Sequence, residues 1–340
     1  MKKLKGSVVS ALIIIFVLGT GVAAVWVKHG IDKAKKETSV SNNSSVLVTT
    51  DITYTTTNPS GLVSTDEMKA GWQTKGSDKV FIGEDGKVVT DGVAEADGKQ
   101  YLIKNKKAAE KGRVVQDNNI YYIAEEGLIT RVVYGDKPMV ALTFDDGPSK
   151  YTEKILDVFN EYNQKATFFI NGEDVPDHKN AIIRQHDEGF LTANHTQNHK
   201  TLTKLSKKDI LEQISLTDDI VYELCGVRTK YLRPPGGAAD EKVKSTVNMP
   251  LINWSVDTKD WSHDNADKTI REVKKSTNDG SIVLMHDRMK STAEAVKTIV
   301  PELIGRGYQL VTIEEMDILR GGTKPGQVYY SFPPPRKDKD

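Results

Sequence analysis

From Asp136 to Ile313 the sequence alternates short apolar runs with amphipathic stretches, and that rhythm leaves few folds open. Apolar runs at 139–144, 166–170, 191–194, 231–233, 251–256, 281–285 and 309–313 predict strands. Helical patterns near 152–162, 176–188, 206–224, 240–247, 266–275 and 293–306 fall between them, and Ser206 with Asp209 is a plausible capping start for the long one. Strands separated by helices pair in parallel. Seven strands and six helices predict an α/β catalytic domain, a distorted (β/α)7 barrel one strand short of eight. In such barrels the reactive groups stand where strands end and loops begin. The residues just past each run are therefore the ones to inspect.

Past the first run comes Leu142-Thr143-Phe144-Asp145-Asp146-Gly147-Pro148. Neighbouring side chains at a strand end point to opposite faces, so one carboxylate can hold a metal while the other handles a proton. By itself such a pair is also an ordinary solvated turn. Past the third run comes Asn194-His195-Thr196-Gln197-Asn198-His199, whose histidines at i and i+4 share one face if the segment turns as a helix. Two histidines and one aspartate hold a cation and leave a coordination position open, as catalytic sites do.

Past the fourth run, Arg233-Pro234-Pro235-Gly236-Gly237 makes a stiff loop whose glycines let backbone approach a ligand and present an N–H to a developing oxyanion. Past the fifth, Trp254 to Trp261 encloses two indoles with Asp257 and Asp260, a composition suited to a carbohydrate. Past the sixth, Leu284-Met285-His286-Asp287 puts a histidine where a general acid can stand.

Together these five pieces, in this order over about 136–319, resemble the NodB-homology polysaccharide deacetylases, carbohydrate esterase family 4, and among them the peptidoglycan N-acetylglucosamine deacetylases. The resemblance implies a metal-dependent hydrolase that removes acetyl groups from a sugar polymer. It implies Asp146, His195 and His199 as metal ligands, Asp145 as general base and Arg233 as its partner. It implies His286 as general acid with Asp260 behind it, and Gly236, Trp254, Trp261 and Leu284 as the substrate pocket. Many relatives carry tyrosine at the Gly236 position, so here the N–H is kept and an aromatic wall is lost. A neutral His–Asp–His set favours Zn2+, with Co2+, Ni2+ or Mn2+ compatible.

The rest of the chain places this domain. Lys+Arg and Asp+Glu both total 47, which nominates no nucleic-acid partner, and a single cysteine excludes a disulfide framework or a cysteine-rich zinc site. Residues 8–27 carry no charge and follow a lysine-rich head; twenty residues match a hydrocarbon core of about 30 Å. We read 1–28 as a cytoplasmic head and single-pass transmembrane anchor, with the body outside the cell membrane. A Ser/Thr/Asn-rich linker follows at 29–66. Over 67–134, Phe81, Tyr101 and Tyr121 recur with Gly92 and Gly112 between Asp85-Gly86, Asp97-Gly98 and Asp117-Asn118 turns, a β-hairpin repeat. It resembles Gram-positive cell-wall-binding modules, and a plain spacer fits as well. The deacetylase domain spans 135–320, and 321–340 reads as an irregular, solvated tail.

The expected activity is hydrolysis of the N-acetyl group of N-acetylglucosamine in a cell-surface polysaccharide, peptidoglycan foremost, by a monomer. Chitin, xylan or an exopolysaccharide are alternatives within the same chemistry. A glycosidase using the carboxylates would leave the three histidines without a task. An inert wall-binding protein would be expected to lack a ligand or the base, and none is missing.

Overall fold

The computed structural model describes residues 69–334. The expected anchor at 1–28, the linker at 29–66 and the last six residues of the tail lie outside the described residues. Among the described residues no helix is long and apolar enough to cross a membrane.

The described chain begins with β1 (Gly71–Lys75), β2 (Asp78–Ile82), β3 (Gly92–Ala96), β4 (Lys99–Lys104), β5 (Lys107–Ala108), β6 (Gly112–Gln116), β7 (Asn119–Ile123) and β8 (Ile129–Tyr134). They pair antiparallel as β1–β2, β3–β4–β5 and β6–β7–β8. Asp97-Gly98 and Asp117-Asn118 turn two of these hairpins with positive φ at both positions, 50° and 70° in one, 50° and 57° in the other. Such turns match the right-handed twist of the strands they join.

A parallel barrel follows: β9 (Met139–Gly147), α1 (Thr152–Glu161), β10 (Thr167–Ile170), α2 (Lys179–Asp187), β11 (Leu191–Asn194), α3 (Lys207–Cys225), α4 (Glu241–Thr246), β12 (Leu251–Ile252), β13 (Val256–Asp257), α5 (Asp260–His263), α6 (Ala266–Ser276), β14 (Ile282–His286), α7 (Lys290–Gly305), β15 (Gln309–Leu310), α8 (Ile313–Arg320) and β16 (Val328–Tyr329). Parallel pairing runs β11–β10–β9–β14–β13, and Leu232 bridges Asn194 on one side and Leu251 on the other, which carries the ring round. β15 pairs only with the start of β9.

Three predicted strands are shorter than the apolar runs suggest. The fourth shrinks to the Leu232 bridge, because Pro234 and Pro235 have no N–H to extend a ladder. The fifth is split into β12 and β13. The seventh stops at Leu310, because Thr312 and Glu315 form a reciprocal capping box that starts α8. The tail is not a solvated end either: β16 pairs with β12, and Phe332 is buried in the barrel core, stacked on Tyr329 at 5.9 Å.

Along β9 the side chains alternate between two cores. Val140, Leu142 and Phe144 face outward into the helical layer with Ile155, Phe159 and Val296. Met139 and Ala141 face the barrel interior with Phe169, Ala193, Tyr231, Ile252 and Ile282. Ile120 and Val133 of the third hairpin sheet belong to that same interior core. The boundary expected at 134/135 therefore cuts through one continuous core, and the third sheet closes the base of the barrel.

A buried polar joint fixes that closure. Arg131 and the Tyr122 hydroxyl both donate to the Glu315 carboxylate, which also accepts from Thr312 N at 2.8 Å. The Arg131 and Glu315 side chains are only 9% and 1% exposed. Burial works against the Glu315 charge, and Arg131 more than reverses it, holding the carboxyl below its usual range. Arg131→Ala leaves an unpaired buried carboxylate and should lower unfolding stability by about 3–5 kcal/mol in urea titration. A loss near the ~0–1 kcal/mol of an exposed pair would show that the joint does not hold the sheet.

Candidate active site

The alternation along β9 decides where its two carboxylates go. Thr143 and Asp145 continue the interior-facing row of Met139 and Ala141. Strict alternation would send Asp146 outward among the helices, but its φ of 65° turns it instead toward the loop after β11. Strain of that kind in a non-glycine residue, just after a run of buried strand, is a mark of a functional site.

Asp145 meets Arg233, which rises through the barrel interior with no exposure to water. Arg233 Nη1 donates to Asp145 Oδ1 at 2.7 Å and to Thr143 Oγ1 at 2.8 Å; Nε and Nη2 donate to the carbonyls of Ile252 and Asn253 at 2.9 and 3.1 Å. Its guanidinium lies 4.0 Å from the Phe169 ring centroid. Burial lowers the Arg233 pKa and Asp145 opposes the shift. Arginine's ordinary value is so high that it stays charged. Asp145 thus has one oxygen held and the other, Oδ2, facing the site 3.7 Å from His195 Nε2.

Asp146, His195 and His199 converge, with their ligand atoms all within 4.8 Å of one another. Asp146 Oδ1 lies 3.6 Å from His195 Nε2 and 3.4 Å from His199 Nε2, and it is buried with no hydrogen-bond partner. His195 Nδ1 lies 2.7 Å from the Arg233 carbonyl, so that nitrogen is the donor and Nε2 keeps its lone pair for the cluster. Burial lowers the His195 pKa, against the pull of both aspartates, and favours the neutral imidazole a metal needs. An orphaned buried carboxylate oxygen beside two imidazole nitrogens fits a divalent cation. The two histidines do not share a helical turn, however. The segment is an irregular loop, with φ of 74° at Thr196 and 54° at His199, pinned where Asn194 Oδ1 accepts from Thr196 N at 2.8 Å.

Across the β9–β14 pairing, His286 stands in register with Asp145. Its Nδ1 lies 2.8 Å from Asp260 Oδ1, and its backbone N donates to Asp260 Oδ2 at 2.7 Å. Thr292 Oγ1 and Trp261 N also donate to the fully buried Asp260 carboxylate. Burial works against the His286 charge, but Asp260 outweighs it and raises the pKa to about 9. The Asp260 carboxyl is held low by the same pair despite its burial.

The pocket residues are more mixed. Gly236 has φ of 64°, an N–H that donates to no acceptor among the described residues, and open space where a side chain would project. Trp254 packs on the barrel core and reaches within 5.6 Å of Arg233, so it is both core and wall. Leu284 is buried, whereas Trp261 is 60% exposed.

Four contributors escaped the sequence reading. Thr143 and Thr292 are buried hydroxyls whose positions show only once the register is known. Arg288 reaches to 3.7 Å from Asp146 Oδ2. Asp287, one residue past His286, is fully buried and holds the loop after β9: its Oδ2 accepts from Thr152 Oγ1 at 2.5 Å and its carbonyl from Ser149 Oγ at 2.7 Å. Burial first, then Asp146 and Asp145, push its carboxyl up to about 7 against the Thr152 hydrogen bond. A side chain on Gly147 would meet that carboxyl at 2.3 Å, which explains the glycine.

Comparison with known proteins agrees with this geometry. The polysaccharide deacetylase family profile matches residues 133–250. A peptidoglycan-N-acetylglucosamine deacetylase of Bacillus cereus is 36% identical over 189 residues, 53% of this chain and 69% of that protein. The chain belongs to the polysaccharide deacetylase family. The peptidoglycan-N-acetylglucosamine deacetylase PgdA of Listeria monocytogenes is 40% identical over 178 residues, 52% of this chain; the match spans only 38% of that relative's length. Among solved structures, a family 4 acetyl xylan esterase from Clostridium thermocellum in complex with a cobalt ion superposes with a TM-score of 0.54 at 32% identity, covering 57% of this chain and 99% of that one.

The His286–Asp260 pair makes a prediction with a definite sign. In metal-free protein the His286 imidazole should titrate by NMR with a midpoint at about 9, so the protonated acid is lost as pH rises through that value. Asp260→Asn removes the main opposition to burial, leaving only the charges of Asp145 and Asp146, and should move the midpoint down from about 9. An unmoved midpoint would remove Asp260 as the cause.

Proposed function

We propose that this chain is a metal-dependent hydrolase that removes the N-acetyl group of N-acetylglucosamine in peptidoglycan and releases acetate. The observation that carries the reading is the orphaned Asp146 oxygen, set with two imidazole nitrogens beside an anchored carboxylate and a charged imidazole. Asp146, His195 and His199 would hold the metal, for which zinc suits the donor set, and cobalt is what the similar esterase structure carries. Such a cation supplies Lewis-acid polarisation of the acetyl carbonyl and lowers the pKa of nearby water.

The protein's own groups do the rest. Asp145 Oδ2 accepts the proton of the attacking water, and Arg233 keeps Asp145 aimed by occupying Oδ1. The Gly236 N–H would receive the oxyanion, a contribution of about 3–4 kcal/mol per donor in comparable sites. His286, kept protonated by Asp260, gives its proton to the departing amine. Leu284, Trp254 and Trp261 line the approach of the sugar.

Peptidoglycan is the substrate named for the similar deacetylases of Listeria monocytogenes and Bacillus cereus. The uncharged run at 8–27 and the hairpins before the barrel support the same reading: an enzyme anchored in the cell membrane with its catalytic domain outside, and hairpins that contact the wall glycan. Chitin, xylan and exopolysaccharide share the chemistry and are separated from it by assay.

Purified protein loaded with zinc should release acetate from N-acetylglucosamine oligomers and from peptidoglycan, and chelator should stop it. Acetate from xylan alone would move the substrate, and reducing ends without acetate would overturn the reaction. Asp145→Asn should lower kcat by about 10²–10⁴ with zinc binding retained in calorimetry, whereas Asp146→Ala should abolish zinc binding itself. Equal loss of metal affinity in both variants would merge the two roles.

A further inference from the structure

One charged residue at the mouth has no part in this chemistry. Arg288 lies two residues past His286 on the loop that leads into α7, with its side chain 60% exposed. Its guanidinium makes no hydrogen bond to any described residue. Nη1 comes within 3.7 Å of Asp146 Oδ2, too far to donate. Asp174 is the other acid that feels it: burial raises the Asp174 carboxyl, and Arg288 pulls it back.

This is a poor arrangement for a structural ion pair. At that exposure the attraction to Asp146 is screened and contributes little to stability. A cation beside three candidate ligands also works against a bound dication, since like charges repel at this range. The two cationic groups inside the site are already engaged: Arg233 donates to Ile252, Thr143, Asp145 and Asn253, and His286 is held by Asp260. Arg288 keeps a planar fork of N–H donors unbonded beside Asp146, the geometry that grips a carboxylate with two parallel bonds. Open space also stands over Gly236, because nothing lies within 4 Å of the position a side chain there would take.

We propose that Arg288 is a specificity residue that binds a carboxylate carried by the acetamido sugar itself, or by the sugar joined to it. Resting on the deacetylase reading, this makes the site selective for acidic amino-sugar chains over neutral ones. The distance to Asp146 sets the scale: the anion must sit within one sugar of the acetyl group. A lactyl ether on the carbon next to the acetamido group, as in N-acetylmuramoyl residues with a free carboxyl, meets that requirement.

The test uses the zinc-loaded protein and two versions of one muramoyl oligosaccharide, the free lactyl acid and its uncharged lactyl amide. The wild type should prefer the acid by about tenfold in kcat/KM, the scale of one charge-assisted hydrogen bond. The preference should lie in KM and shrink as salt rises. Arg288→Gln should bring the ratio near one and Arg288→Lys should leave part of it, with zinc affinity and thermal melting confirming that both variants are folded. Mass analysis of which sugar loses its acetyl separates a carboxylate on the reacting sugar from one on its neighbour. An acid-to-amide ratio of one in the wild type, or a ratio unchanged in Arg288→Gln, overturns the proposal. If no glycan is deacetylated, the deacetylase reading fails, and binding of the acid and the amide to Asp145→Asn, with and without Arg288→Gln, still decides the role of Arg288.

Discussion

A guanidinium sealed from water must be compensated on nearly every N–H it carries, and the site is built around meeting that requirement for Arg233. Carbonyls from the split fifth strand take Nε and Nη2, Thr143 and Asp145 share Nη1, and the Phe169 ring covers the face. Removing one partner from a buried charge costs about 3–5 kcal/mol, so the cluster is held together as a unit. The carbonyl of the same arginine accepts from His195 Nδ1 and so settles which nitrogen of that ring faces the metal position. One residue therefore orients both the candidate base and the first candidate ligand.

Charge is divided among the acids by environment. Asp145 is held on one oxygen by a permanent cation, and Asp260 by an imidazolium and three further donors. Asp287 has only a hydroxyl, with one oxygen left without a partner, and burial pushes it toward the neutral form. Asp146 is left with an unpartnered oxygen in company with two imidazoles. Four carboxyl groups within a few residues of three strand ends thus sit in four different surroundings. A group kept ionised accepts a proton or binds a cation, and a group kept neutral braces the loop beside them without adding repulsion.

Much of this was legible in the sequence because it obeys local rules. The apolar runs carry period-two and continuous burial patterns that survive in the barrel, and the reactive residues stand after them in order. Ser206 capped α3 where the capping pattern placed it. What escaped depends on more than nearest neighbours. The left-handed Asp146 and the loop that brings His195 to His199 are enforced by contacts from other strands. Thr312 and Glu315 spell a capping box, but an apolar pattern running on to Ile313 masked it. Phe332 lay in a Pro-rich tail, and only the space under the barrel gives it a place.

The third hairpin sheet has a consequence for ancestry and exchange. Its Ile120 and Val133 are core residues of the barrel, and Arg131 is tied to the helix that ends the fold. A recombination that swapped the front of this chain at the start of β9 would leave the barrel open at its base. A join between β5 and β6 would part a smaller apolar cluster that links Leu102 to Tyr121 and Ile123, the Tyr101–Leu128 bridge, and the contacts of Trp72 and Lys79 with Glu126. The first two hairpin sheets pack outside the barrel core, and the third is part of it.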